Sequence, residues 1–531
     1  MGDGSVATRS SRLARLLLAV WVLAYGATAY ADLVLRLGNG GEPETLDPHR
    51  YNLRLEETIL SDLFLGLTTF DPHGKPMPGA AERWEVSEDG KTWTFYLRQG
   101  LEWSDGTPVT AEDFLHSLRR TLNPQTAASL AHFLYPIRNA KAVNRGEKPL
   151  SALGVEAKDA RTLVVELETP YPFFAERLMY PTAYPVPHHA LERLGDAWVK
   201  AGNMISNGAY VLAEWVPHSH VRLVRNPHFY AADTVAVDEA LYYPSADANT
   251  AFNRFRTGDL QAIGNFPSGQ LVNVKQSMTD SLRLSPLLSI MYLVFNVTQA
   301  PFDDVRVREA LALAIDRAVL TDKVLRTGDI PSWSFVPQMV EGYDSVDVAH
   351  KDWPRARRLE RARTLLAQAG FSHGEPLEFT LRYITSTDNK KVHVALAAMW
   401  KEIGVDAQLF HTELKIHFAD LRQGDFQVAQ AGWFGENNPG HYLGLLESGT
   451  GNVNYGRYAS AAYDAFMKRA IETVELKERL ALMHEAEALA MQELPVIPLY
   501  SVMIRSLVNP RITGWVDNAR NVHSLRYLGW K

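Results

Sequence analysis

Two periodicities alternate along most of the chain. Residues Thr92 to Arg98 alternate at period two and predict a strand. Ser104-Asp105-Gly106-Thr107-Pro108 predicts a turn, because Asp-Gly and Pro each favour that geometry. Thr110 follows as a helix cap with the acidic Asp113 three residues on, and that helix is expected to run to Leu122 and stop at Asn123-Pro124. The same grammar predicts strands over Thr162 to Leu167, Ala209 to Trp215, Val221 to Arg225, Met291 to Asn296, Leu377 to Tyr383, Phe426 to Ala431 and Pro495 to Tyr500. Helices are expected over Val305 to Ala318 (capped by Asp303 or Asp304), Leu359 to Ala369, Lys390 to Ile403 and Val474 to Gln492, with Gly370 and Gly404 closing the second and third. The order is mixed α/β, with helices between strands. Proteins of this class and size that fold as two lobes commonly hold a ligand in the cleft between them.

The first 31 residues follow a different pattern. Arg9, Arg12 and Arg15 precede an apolar stretch from Leu16 to about Ala27, and Ala29-Tyr30-Ala31 then offers small residues where a signal peptidase reads. This is the layout of a secretory signal, with cleavage expected after Ala31. The apolar stretch is shorter than the ~20 residues a membrane-spanning helix needs. No later segment has 18 uninterrupted apolar residues, so the remainder is expected to be a soluble exported protein. The whole chain carries −7; the first 31 residues hold three Arg and one Asp, a net +2, which leaves −9 on the rest. That balance argues against nucleic acid or an anionic membrane as the main partner. There is no cysteine in 531 residues, which excludes disulfides, thiolate metal sites, a cysteine nucleophile and lipid attachment at an N-terminal cysteine. A free periplasmic protein of two or three domains is the expectation.

Enzyme signatures are absent. No G-x-S-x-G elbow occurs. Gly38-Asn39-Gly40-Gly41-Glu42-Pro43 begins like a dinucleotide loop but ends in Pro43, and Gly74-Lys75-Pro76 lacks the rest of a phosphate loop. His484-Glu485 has no second His one helical turn on, and the adjacent His188-His189 is expected in a surface loop. No catalytic residue, metal site or cofactor is therefore expected.

Several segments occur in a specific order: Leu46-Asp47-Pro48-His49, Ala81-Glu82-Arg83-Trp84, Trp93 to Arg98, Trp103 to Phe114, Asn207-Gly208-Ala209-Tyr210, Pro301 to Arg308, Ala431-Gly432-Trp433 and Pro495 to Tyr500. This ordered set resembles the extracellular solute-binding proteins of family 5, the oligopeptide- and dipeptide-binding family of ABC importers. The resemblance implies an α/β, periplasmic-binding-protein-like fold of two lobes with an extra domain and a ligand cleft at a hinge. It divides the chain into a discontinuous first domain (32–64, 190–287 and 501–531), a second (65–189) and a third (288–500).

The resemblance also implies site residues. In the family a strand ending in Gly-Trp pairs with the ligand backbone, which places Ala431, Gly432 and Trp433 in the cleft. An Asp three residues beyond that Trp holds the peptide ammonium; here Glu436 stands there, one methylene longer. The early loop supplies Asn52, Leu53 and Arg54, with Asn52 in place of a Glu, and Tyr500 matches a residue that bonds the ligand backbone. Other positions depart: Leu130 falls near an expected Tyr, Leu414 near a Trp, Gln430 at an Arg and Asn389 at a His. Several of these serve the peptide carboxylate in the family; Arg54, Lys390, Lys391 and Arg422 are the cations nearest in sequence to replace them. The implied function is capture of oligopeptides by a monomer and their delivery to an ABC permease. A non-peptide ligand (an opine, murein peptide, oligosaccharide or metal complex) is the alternative, and an exported peptidase or chaperone a remoter one.

Overall fold

The computed structural model describes residues 33–372 and 374–531. The expected signal segment and its cleavage point after Ala31 lie outside these residues. Among the described residues no helix is long and apolar enough to cross a membrane.

Local sequence explains most elements. Strand Thr92–Leu97 buries alternate residues, Trp93, Phe95 and Leu97, as a period-two pattern on one side of a sheet requires. Helix Ala111–Leu122 begins where the Asp113 carboxylate accepts the Thr110 N–H at 2.7 Å, which satisfies one of the donors a helix start leaves free. Helix Val305–Ala314 starts at Asp304, whose carboxylate accepts the Arg306 N–H. It stops four residues before the expected Ala318, with Ile315 extended at ψ 124°. The reason is tertiary: Trp400 Nε1 donates to the Leu311 carbonyl at 3.0 Å, and the Arg358 guanidinium donates to Leu313 and Ile315 at 3.2 and 2.7 Å. Side chains from elsewhere take the carbonyls that a further helical turn would have used.

Three sheets carry the architecture. A seven-stranded sheet runs Leu282–Pro286, Met503–Val508, Ala262–Ile263, Val34–Gly38, Glu239–Tyr243, His220–Arg225, Tyr210–Val216. Its strand Val34–Gly38 is parallel to both Glu239–Tyr243 and Ala262–Ile263. A six-stranded sheet runs Ile330–Pro331, Val496–Ser501, Ser289–Phe295, Val428–Phe434, Leu377–Ile384, Val405–Thr412. An antiparallel four-stranded sheet, Ala81–Val86, Thr92–Leu97, Thr162–Glu166 and Val155–Asp159, stands apart from both.

The cores divide the molecule into two lobes. One large core takes its buried residues from Leu288 to Tyr500, with Val502 and Ala519 packed against it, and lies around the six-stranded sheet. The other joins the seven- and four-stranded sheets and draws on residues from Leu35 to Ala262 and from Val508 to Leu528. The chain crosses between lobes at two neighbouring places. Pro286 pairs with Met503 on one side of the crossing and Met291 with Tyr500 on the other. Between them the Leu287 N–H donates to the Val502 carbonyl at 2.9 Å, and the Val502 N–H to Ser289 Oγ at 3.0 Å. The lobes are thus joined by a pair of hydrogen-bonded strands.

The C-terminal segment is anchored to the first lobe through Asp62. Its carboxylate accepts the Leu525 N–H and the Ser524 hydroxyl, both at 2.9 Å, and the Tyr242 hydroxyl at 2.7 Å. Burial pushes this carboxyl up to about 6, against the pull of those donors. A folded pKa above the unfolded value contributes stability that is full below about 4 and is lost as pH rises through about 6. Asp62→Asn removes that titration. Its penalty, measured by urea denaturation, should be about 1 kcal/mol greater at pH 5 than at pH 8.

Candidate functional site

The first lobe presents a cavity of about 540 Å³. It opens at the carboxyl ends of the parallel strands, lined by Gly38, Asn39 and Gly40 after the first, Ser245 and Ala246 after the second, and Gly264 and Asn265 after the third. Ligands of open α/β sheets characteristically bind outside these strand ends. Leu53 and Arg54, at the start of helix Arg54–Leu63, border it, as do Trp515 and His523, whose rings stack at 3.8 Å.

The early loop is held differently from its expected role. The buried Glu56 carboxylate accepts the N–H groups of Asn52 and Leu53 at 2.8 and 3.0 Å, and those of Glu44 and Thr45 at 2.8 and 3.1 Å. The loop N–H groups at Asn52 and Leu53 are therefore engaged within the protein, and Asn52 is not among the residues lining the cavity. The Arg54 guanidinium donates to the carbonyls of Arg520 and Asn521 and lies 3.6 Å from Glu57. Sequence reasoning missed Glu56. The spacing of Leu53 and Glu56 resembles a capping box without a Ser or Thr cap, which made the signal weak.

The second lobe supplies a strand edge. Strand Val428–Phe434 is paired along its whole length with Ser289–Phe295. On its other side, pairing with Leu377–Ile384 ends at Arg382–Ala429. Beyond that point the strand has no strand partner on this side among the described residues. The buried Gln430 carbonyl is taken by His417 Nε2 at 2.8 Å, and exposure rises along the edge to Phe434, 62% exposed. Gly432 and Tyr500 are each in register with Met291, so the three share one sheet face. A Cβ on Gly432 would lie 2.6 Å from the Met291 sulfur, so a larger residue there would displace the Met291 side chain. Burial, with Asp329 and Asp388 nearby, raises the Tyr500 phenol, which keeps it a neutral hydrogen-bond donor. Trp433 is half-buried, packs on the second-lobe core and meets His441 edge to face at 5.5 Å.

The altered positions in this wall answer one another. Gln430 Nε2 donates to Asn389 Oδ1 at 3.0 Å, and Gln430 Oε1 accepts the Ile384 N–H at 3.1 Å. The residues standing where an Arg and a His were expected thus form a neutral amide pair. Leu414 and Ile416 beyond it are exposed. Asp388, beside Asn389, faces Ser268 of the first lobe at 3.4 Å. Among the cations considered as replacements, Lys391 pairs with Asp388 at 2.8 Å, while Lys390 and Arg422 are exposed.

Glu436 is only 3% exposed. Its carboxylate lies 3.0 Å from the guanidinium of Arg177, a first-lobe residue that also donates to the Tyr171 hydroxyl at 3.1 Å and covers the Phe133 ring at 4.8 Å. The Glu436 N–H donates to His441 Nδ1 at 3.1 Å. Burial pushes His441 down to about 4, despite the pull of Glu436, so the ring is neutral and able to accept. Alongside, Glu176 and Arg520 form a second buried pair, and Arg520 donates to the Tyr180 hydroxyl at 2.7 Å. Neither arginine was singled out in the sequence, because a lone Arg carries no spacing signal.

Among the described residues no group of three or more His, Asp or Glu side chains is placed to hold a metal. His188 and His189 begin a helix rather than lie in a loop, and they bond different carboxylates, Asp113 and Asp105, each at 3.0 Å.

Comparison with known proteins places the chain in a class. The bacterial extracellular solute-binding proteins, family 5, match residues 75–454, and the chain belongs to that family. It is 36% identical over 523 residues to the periplasmic oligopeptide-binding protein OppA of Salmonella typhimurium, covering 96% of each chain. It is also 36% identical over 488 residues to YgiS, a probable deoxycholate-binding periplasmic protein of Escherichia coli, covering 91% of this chain and 90% of that one. Its backbone matches the unliganded open form of MppA, a periplasmic murein tripeptide binding protein, with a TM-score of 0.85 at 34% identity, over 94% of this chain and 97% of the other. Like that protein, the chain has two lobes of mixed helix and sheet.

A buried ion pair is strongly destabilising when one partner is removed, because the other is left charged without compensation. Arg177→Met should cost about 3–5 kcal/mol in urea denaturation. Adding Glu436→Gln should recover most of that loss, a coupling that two independent surface residues would not show.

Proposed function

We propose that the protein is the periplasmic binding component of an ABC importer, capturing oligopeptides between its lobes and handing them to a membrane permease. The observation that carries this reading is the strand edge from Ala431 to Phe434, which among the described residues has no strand partner on one side beyond the His417-bonded Gln430. An extended peptide can add to such an edge through main-chain hydrogen bonds, which every peptide offers whatever its sequence. Ala431, Gly432 and Trp433 supply that edge, Tyr500 a neutral donor on the same sheet face, and the first-lobe cavity beside Leu53 and Arg54 the room for side chains. Capture is stoichiometric and the protein acts as a monomer without catalysis.

In this reading residues 32–64, 190–287 and 501–531 make the first domain, 65–189 the second and 288–500 the third, with the two-strand crossing near Leu287 and Val502 as the hinge. Export rests on the Arg-rich start, the apolar stretch and Ala29-Tyr30-Ala31. The periplasmic relatives support the same location.

Calorimetry with mixed-sequence peptides on ligand-stripped protein should show one binding site. Small-angle scattering should show the radius of gyration falling on binding, as a hinge closes; identical curves with and without bound peptide would remove the closure. Tyr500→Phe should weaken binding by about 0.5–1.5 kcal/mol, the contribution of one neutral hydrogen bond.

A further inference from the structure

The family resemblance assigns Glu436 to a ligand ammonium, but the protein already supplies that carboxylate with a cation. Arg177 lies 3.0 Å from Glu436 and is itself mostly buried. Its position is fixed by the Tyr171 hydroxyl and by the Phe133 ring. Asn438, two residues beyond Glu436, also donates to Tyr171, at 3.1 Å. The neighbouring Glu176 and Arg520 compensate each other. The four charges at this end of the open strand edge therefore sum to zero before any ligand arrives, and His441 adds none while it is neutral.

The Arg177–Glu436 contact compensates charge without a hydrogen bond, since Glu436 Oε1 has no hydrogen-bond partner among the described residues. A ligand ammonium brought here would leave water without gaining a carboxylate uncompensated in charge. It would also approach the guanidinium of Arg177, and a like charge in a poorly solvated site is costly. A neutral amide carbonyl has no such penalty and can accept from a guanidinium donor. The opposite end of the same edge is neutral too, where Gln430 bonds Asn389. The wall from Asn389 to Glu436 thus offers hydrogen-bonding groups and apolar surface, including the exposed Phe434 and Leu414; Lys391 is paired with Asp388 and Glu436 with Arg177, while Lys390 and Arg422 face solvent.

We infer that Arg177 acts as a built-in substitute for the ligand ammonium, and that the site selects peptides whose amino end is blocked, as by N-acylation, over the same peptides with a free amine. This inference rests on the peptide reading above and sharpens it: Arg177 becomes the residue that determines specificity at that end.

The test uses one pool of mixed-sequence tetrapeptides, prepared once with free amino ends and once N-acetylated, titrated into ligand-stripped protein. The acetylated pool should bind at least tenfold more tightly. Equal binding, or tighter binding of the free amines, overturns the inference and leaves the peptide reading intact. Failure of both pools to bind overturns the peptide reading and the inference with it. Arg177→Leu uncovers Glu436, so free amines should then gain at least tenfold over acetylated peptides, and should raise the melting temperature of the variant more than that of the wild type. An Arg177→Leu protein that folds and keeps the preference for acetylated peptides also overturns the inference. If the variant does not fold, the comparison on the wild-type protein decides alone.

Discussion

Two strands pass side by side between two hydrophobic cores that share no residue. The rest of the architecture depends on that constraint. Apolar burial is roughly proportional to area removed from water, so each lobe is stabilised within itself and little of that energy is at stake in their relative position. The crossing is held by the Leu287 N–H on the Val502 carbonyl and by the Val502 N–H on the Ser289 hydroxyl. A change in the angle between lobes then bends a narrow ribbon and leaves both cores packed.

That separation makes the polar contacts across the cleft decisive. Arg177 with Glu436, Lys75 with Glu341, Asn438 with Tyr171 and the Arg479 guanidinium on the Pro170 carbonyl all join the two lobes. Lys75 and Glu341 are more than half exposed, and such a pair contributes little. The Arg177–Glu436 pair is buried, and the desolvation of both charges makes it a commitment: either partner alone is strongly unfavourable there. One residue on the first lobe thus sets the charge environment of a carboxylate on the second.

The family's scaffold is compatible with more than one ligand chemistry. Relatives of equal identity to this chain carry names that refer to oligopeptides and to deoxycholate. Main-chain pairing at an open strand edge is indifferent to side chains, so it can persist while the ends of the site change. In this chain Gln430 and Asn389 form a neutral amide pair, and Glu436 is compensated in charge by Arg177.

The alternation over Thr92–Leu97, the cap at Thr110 and Asp113, and the glycines after helices Arg355–Gln368 and Thr387–Lys401 were legible in the chain, because each depends on neighbours within a few residues. The order of the family segments extended that to the class of fold. The early end of helix Val305–Ala314 was not legible, since Trp400 and Arg358 take its carbonyls from 43 to 89 residues away. Nor was the state of the site. Sequence by itself determined that a carboxylate would stand at Glu436, three residues past Trp433. Only the tertiary structure decided that Arg177, more than 250 positions earlier, would neutralise it. Charge compensation follows distance in space, and no local pattern encodes which cation the folded chain brings within 3.0 Å.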